Sequence, residues 1–213
     1  MSSAPDASDT MRFGDLAGRL FELPGSSRIV AIDGPGGAGK STFAGRLVAS
    51  TNAETTLLHT DAFARPDEPT AWWPRLLTVI ELLASGQPAT FYPYDWNNGC
   101  LGESLTVRPT ALIIVEGVSA SRREWSDHLS FSIWIDADPD VCRQRGVARD
   151  GITPNEWDEA AEHEAAFFVG DGAASRADLI VDSMTNSEGL DPNVSFVTSQ
   201  DPRSAGGSTA RHH

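Results

Sequence analysis

Short apolar runs alternate with segments of helical spacing along most of this chain. Phe13, Leu16, Leu20 and Leu23 recur at helical intervals and predict a short helix over 11–23. Ile29-Val30-Ala31-Ile32 reads as a buried strand, and Phe43, Leu47 and Val48 mark the helix after it. A strand over 55–60, carrying Leu57-Leu58, ends at Asp61, and a helix over 70–85 closes at Gly86 and Pro88. Residues 89–109 contain Tyr-Pro-Tyr, Asn-Asn-Gly and Arg-Pro, which predict a β-ribbon or long loop rather than a core element. Core strands follow at 111–115 and 131–135, helices at 139–149 and 156–168, and a last firm strand at 179–181. A weak strand signal remains at 194–197.

Strands alternating with helices specify an α/β fold: a mostly parallel sheet of about five strands with helices on both faces. Residues 11–197 are expected to form one domain, between a Ser/Asp/Ala-rich disordered stretch at 1–10 and a flexible tail at 198–213. The length of 213 residues suits one substantial domain, and 40% hydrophobic residues with six tryptophans supply its core. A net charge of −14 argues against nucleic acid or an anionic membrane surface as the main partner, since both require a basic face. No apolar run reaches membrane-spanning length, and the first residues lack a signal-peptide pattern. Cys100 and Cys142 form neither a disulfide framework nor a metal-ligand spacing, so a reduced, cytoplasmic setting is expected.

The strand at 29–32 runs into Gly34-Pro35-Gly36-Gly37-Ala38-Gly39-Lys40-Ser41, which fits the phosphate-cradle pattern G-x-x-x-x-G-K-[ST]. Its glycines let backbone N–H groups turn inward around phosphates, and the helix opening at Gly39 directs its positive end at the same anion. Lys40 is placed for the β- and γ-phosphates, the Ser41 hydroxyl for Mg²⁺, and Thr42 follows on the same turn. The chain is therefore expected to bind ATP or GTP with Mg²⁺, and a P-loop NTPase fold follows from the strand–loop–helix context.

Phosphoryl transfer needs a held metal, cations on the transferring group and a carboxylate near the attacking hydroxyl. Strand C-terminal ends converge on one crevice in a parallel sheet, so acids at those ends are the candidates. Asp61 is read as the base or orienting group with an indirect hold on Mg²⁺, and Glu116, ending the 111–115 strand, as the metal-organising acid. Asp136 and Asp138, followed by Pro139, read as a turn and helix cap. Arg143, Arg145 and Arg149 lie on the next helix, which breaks at Asp150-Gly151; this predicts a helical lid over about 143–170 that brings Arg145 and Arg149 onto the phosphates. The acceptor segment, about 62–109, is rich in aromatics, and Phe63, Trp72, Trp73, Tyr94 and Trp96 are candidate substrate contacts together with Glu116. Only Arg65, Arg75 and Arg108 occur there, too few for a phosphate clamp, so an uncharged hydroxyl compound is favoured over a phosphorylated acceptor. His59, inside a strand, reads as a packed core residue, and His128 and His163 as ordinary helix-region positions.

These residues together resemble the uridine kinase family of small P-loop kinases, within the group that includes phosphoribulokinase and one type of pantothenate kinase. The resemblance runs in order through about residues 28–182: the loop at 34–41, Asp61-Ala62-Phe63, Tyr94-Asp95-Trp96, Val115-Glu116-Gly117-Val118, the Arg145–Asp150 segment, and Ala177-Asp178 before the last strand. It implies nucleotide-dependent phosphorylation of a substrate hydroxyl, with Asp61 as catalytic base, Glu116 at the metal and Arg145 and Arg149 on the phosphates. The chain departs from the family where a nucleoside would be read. Pro69-Thr70-Ala71-Trp72-Trp73 has tryptophan where the family places an acid for the ribose diol, and Gly99 stands where the family has a base-contacting histidine. An indole cannot replace two carboxylate hydrogen bonds.

The function expected is thus a kinase acting on a hydroxyl of a small molecule: uridine, cytidine or a similar aromatic-ring compound. A non-nucleoside alcohol as acceptor, such as a pantothenate-like compound, sugar or natural product, and a binding protein without catalysis are the alternatives. A GTPase switch is disfavoured because no Asn-Lys-x-Asp motif occurs. Association into a homo-oligomer is left open.

Overall fold

The structure, a computed structural model, describes residues 10–67, 72–184 and 191–199. The expected start of the helix at Thr70, and most of both terminal stretches, lie outside the described residues. The chain forms β1 (Thr10–Arg12), α1 (Phe13–Glu22), β2 (Arg28–Asp33), α2 (Lys40–Ala49), β3 (Thr55–His59), α3 (Trp73–Ala84), β4 (Ala89–Phe91), β5 (Tyr94–Asp95), β6 (Cys100–Leu101) and β7 (Leu105–Val107). There follow β8 (Leu112–Glu116), β9 (Phe131–Asp136), α4 (Pro139–Asp150), α5 (Pro154–Asp171), α6 (Ala173–Arg176), β10 (Leu179–Asp182) and β11 (Ser195–Ser199). A 3₁₀ turn at Thr60–Ala62 and a 3₁₀ segment kinked at Trp125, Arg123–His128, complete the regular structure among the described residues.

The central sheet has seven strands in the order β1-β11-β10-β9-β2-β8-β3. Five consecutive strands, β10, β9, β2, β8 and the edge strand β3, are mutually parallel and are the strands the hydropathy pattern predicts. The sheet extends beyond them because β11 adds antiparallel to β10 and β1 adds antiparallel to β11. Residues 10–12, expected as disordered end and helix start, are therefore an edge strand, and 198–199 belong to β11 rather than to a tail. The three-residue β1, paired with a strand near the other end of the chain, has no local signature, whereas the weak signal at 194–197 falls on β11.

Period-two alternation along β2 builds the core on both faces. Val30 and Ile32 face Phe13, Leu16 and Leu20 of α1 and Phe43, Ala44 and Leu47 of α2. Ile29 and Ala31 face Leu76, Val79, Ile80 and Leu83 of α3 and the buried ring of Trp125. Strand β8, covered on both sides, is fully buried through Leu112, Ile113, Ile114 and Val115. The 89–109 segment folds into two short ribbons, β4 with β7 and β5 with β6.

Helix α5 is longer than its apolar spacing suggests because both ends are capped. Thr153 and Glu156 form a reciprocal capping box with Pro154 in the first turn, and Gly172 closes the helix in the left-handed conformation. Asp138 caps α4 by accepting from the N–H groups of Asp140 and Val141, as its position before Pro139 predicts.

Candidate active site

Parallel pairing brings the C-terminal ends of β2, β8 and β3 to one edge of the sheet. The register sets Ile32 beside Glu116 and Glu116 beside His59, and the 3₁₀ turn after β3 carries Asp61 to the same edge. The phosphate loop leaves β2 there. Gly34 and Gly37 have φ values of 144° and 74°, and a Cβ on either would come within 2.5 Å of Ile135 O or 2.3 Å of Cys142 O, respectively. Glycine is required at both by conformation and by the close approach of neighbouring backbone.

Lys40 opens α2 with its ammonium inside the loop, donating to the carbonyl oxygens of Gly34 and Pro35, each at 2.8 Å. Burial pushes its pKa down, against the opposing pull of Asp33, Glu164, Glu116 and Asp61. The root of the loop is held by Asp33, which is 1% exposed. Its carboxylate accepts from Gly34 N–H at 2.8 Å and from the N–H and hydroxyl of Ser121 at 2.8 and 2.7 Å. Burial raises the pKa of Asp33, and those hydrogen bonds oppose the rise.

Glu116 is 4% exposed. Its Oε1 accepts from Ser41 Oγ at 3.0 Å and contacts His59 Nδ1 at 2.5 Å, while its buried Oε2 has no partner. A buried carboxylate oxygen without a partner is costly. Together with the Ser41 hydroxyl it offers the hard oxygen donors that Mg²⁺ prefers, so these residues fit that ion. Asp61 opens to solvent at the cleft, but the surrounding protein still desolvates its carboxyl and raises its pKa, with Lys40 opposing.

Lys40, Ser41, Thr42, Asp61, Glu116, Arg145 and Arg149 line a single cleft of about 420 Å³, with Gly36, Gly37 and Gly39. Two acids far apart in the chain thus meet beside the phosphate loop. A second cleft of about 540 Å³ lies on the other side of α2's first turn, lined by Ala38, Thr42, Arg46, Arg145 and residues of β11. Arg145 and Thr42 border both. Helices α4 and α5 lie over the loop, where the sequence places a lid. Arg143 does not face the phosphate site: it makes a two-pronged ion pair with Asp158 at 2.6 and 3.0 Å that ties α4 to α5. Arg149 pairs with neighbouring Asp150 at 2.6 Å.

The aromatic candidates divide. Phe63 and Trp72 are buried, and Phe63 stacks on Phe91 with ring centroids 4.5 Å apart, so both are core rather than contact residues. Trp73 lies under the Arg122 guanidinium at 5.3 Å, which also faces Phe167 at 4.7 Å. Tyr94 and Trp96 form an edge-to-face pair on the ribbon, and Trp96 Nε1 donates to Asp61 O at 3.0 Å. Trp96 remains largely exposed beside the candidate base.

Three contributors escape sequence reasoning. His59, expected in the core, has a side chain 52% exposed, and its hydrogen bond to Glu116 raises its pKa. The reason is that β3 is an edge strand whose last residue projects at the open end of the sheet. Glu164 accepts from Gly36 N–H at 2.9 Å, and burial raises its pKa. Trp157 packs so closely on Gly146 that a Cβ there would fall within 2.0 Å of its ring. The i, i+3, i+7 spacing of Trp157, Ala160 and Glu164 is the signal that could have marked this face of α5.

The sheet order, the phosphate loop at the end of β2 and the helices on both faces define a P-loop NTPase fold. Within that class, the chain is 25% identical over 189 residues to the uridine kinase of Saccharomyces cerevisiae, covering 74% of this chain and 37% of that protein. It is 29% identical over 143 residues to the uridine kinase of Schizosaccharomyces pombe, covering 58% and 32%. The chain thus spans about a third of the length of these curated relatives. A structure described as a possible uridine kinase from Bacillus stearothermophilus shares the fold with a TM-score of 0.57 at 17% identity, over 79% of this chain and 96% of that one. No family model matches the sequence. The chain is thus similar in sequence to uridine kinases and shares its fold with a P-loop kinase structure.

Proposed function

We propose that the protein is a small-molecule kinase that moves the γ-phosphoryl group of ATP or GTP to a hydroxyl of an uncharged acceptor. The observation that carries this reading is the convergence of Lys40, Ser41, Asp61, Glu116, Arg145 and Arg149 on one cleft. The loop amides and Lys40 hold the triphosphate tail, and the second cleft, beyond Ala38 and Thr42, has room for the nucleoside end. Ser41 and Glu116 would hold Mg²⁺, which supplies charge neutralisation on the phosphate oxygens when bound. Asp61 takes the proton of the acceptor hydroxyl as that oxygen bonds to the γ-phosphorus. The bond from that phosphorus to the β–γ bridging oxygen breaks, and the nucleoside diphosphate departs with the electron pair. Arg145 and Arg149 stabilise the charge on the transferring group.

Trp96, braced edge-to-face by Tyr94 and exposed beside Asp61, offers an aromatic face for a ring-bearing acceptor such as uridine or cytidine. A non-nucleoside alcohol is the second reading. It is favoured by Trp73, which stands in the place of the family's diol-binding acid and is engaged in the Arg122 stack. Nucleoside diphosphate release, measured with nucleosides, pantothenate and sugar alcohols as acceptors and ATP or GTP as donor, tests both. Stimulation by a nucleoside supports the first and stimulation only by another alcohol the second. No stimulation above slow hydrolysis by any acceptor rejects kinase activity in favour of nucleotide binding alone.

A further inference from the structure

We propose that His59 is a positioning residue for Glu116: it pins one oxygen of that carboxylate so that the other stays directed at a divalent cation. This rests on the reading of the cleft as a metal–nucleotide site. Strands β3 and β8 run parallel with His59 and Glu116 as register partners, which sets the two side chains next to each other at the sheet's C-terminal edge. His59 Nδ1–H donates to Glu116 Oε1 at 2.5 Å, and Ser41 Oγ donates to the same oxygen at 3.0 Å. Both contacts thus fall on Oε1, and buried Oε2 is left without a partner.

The terminal torsion of a glutamate is broad, and a carboxylate with neither oxygen held turns freely between its two orientations. A donor fixed on one oxygen removes that freedom and decides which oxygen is offered. Ser41 donates its hydroxyl proton to the same oxygen and keeps its lone pairs for a metal, so it and the imidazole hold Oε1 together. The His59 side chain is half exposed, so burial in the core does not account for its position. Partners of this kind, one step removed from the metal, typically govern affinity by about 10- to 100-fold.

The test is Mn²⁺ uptake by the protein–ADP complex, followed by electron paramagnetic resonance, for the wild type, His59→Leu and His59→Asn. Asparagine carries an amide N–H close to where Nδ1 lies; leucine carries no donor. His59→Leu is expected to weaken Mn²⁺ binding by about tenfold, and His59→Asn to stay within about threefold of wild type. ADP affinity in EDTA and the thermal midpoint should be unchanged in both. Wild-type Mn²⁺ affinity in His59→Leu, no recovery in His59→Asn, or a parallel loss of metal-free ADP binding would each overturn the proposal. A wild type that takes up Mn²⁺ with ADP yet phosphorylates no acceptor defeats the kinase reading alone, and the variant series still decides the role of His59. A wild type that takes up none defeats both.

Discussion

The carboxylate of Glu164, on α5, accepts a hydrogen bond from the backbone N–H of Gly36 at 2.9 Å, inside the loop built to receive phosphate oxygens. An anionic oxygen on a loop amide is the interaction a nucleotide phosphate would make. Glu164 also lowers the field that an incoming anion meets at Lys40. Glu164→Ala is therefore expected to tighten ADP binding by about three- to tenfold, up to ~1.4 kcal/mol, in a calorimetric titration. Weaker binding in that variant would mean that the carboxylate is a lasting support of Lys40 rather than a stand-in for phosphate.

Lys40 gives its hydrogen bonds to the carbonyls of Gly34 and Pro35, and its charge is flanked by Asp33, Glu164, Glu116 and Asp61. Lys40→Ala removes the cation and leaves Asp61, Glu116 and Glu164 lining the phosphate site. Turnover should fall by about 10²- to 10³-fold and nucleotide affinity should fall with it. Unchanged affinity in an equilibrium binding assay would contradict its place on the phosphates.

Asp61 has its pKa raised, chiefly by burial, and acts as a base only when ionised. Activity should therefore be lost as pH falls through that raised pKa, on an acid limb above the ordinary aspartate range. Asp61→Asn should abolish turnover and leave ADP affinity nearly intact. A carboxyl with a raised folded-state pKa binds protons more readily folded than unfolded, so it costs stability once pH exceeds that pKa. The asparagine variant should accordingly melt higher than wild type at neutral pH, and a lower melting temperature would contradict this environment for Asp61.

Gly146 lies against Trp157, with no room for a methyl group. Gly146→Ala must push α5 away from α4 or turn the indole out, at a cost of about 1–3 kcal/mol. Because Trp157 and Glu164 share one face of α5, the displacement also reaches the phosphate loop. Thermal melting should show the loss, and nucleotide affinity should change in the same variant; a shift in neither would mean that the contact is slack.

Trp96 is held to Asp61 O through its indole N–H while its ring stays exposed. Trp96→Ala should raise the KM for a ring-bearing acceptor by about tenfold and leave ADP affinity unchanged, as expected for loss of one aromatic contact face. An unchanged KM would place the acceptor elsewhere.

The parallel core and the phosphate loop were legible because their signals are local. An apolar run such as Ile29–Ile32, a glycine pattern and a lysine at fixed spacing act through conformations and contacts within a few residues of one another. Asp61 and Glu116 were legible one step further, since parallel strands end on the same edge wherever they lie in the sequence. The aromatic candidates were not separable in the same way. Phe63 and Trp96 read alike, yet one stacks on Phe91 in the core and the other stays exposed beside the base.

The sequence by itself determined the class of fold, the nucleotide cradle and the acids that meet it, because backbone conformation and hydrophobic periodicity are written in neighbouring residues. Tertiary structure alone decided that β1 completes the sheet beyond β11, that Arg143 braces α4 against α5 while Arg145 faces the cleft, and that His59 and Glu164 belong to the site. Each of these depends on which residues from distant parts of the chain share one small volume. Burial, hydrogen bonding and charge there are properties of the packed neighbourhood, and no single segment carries them.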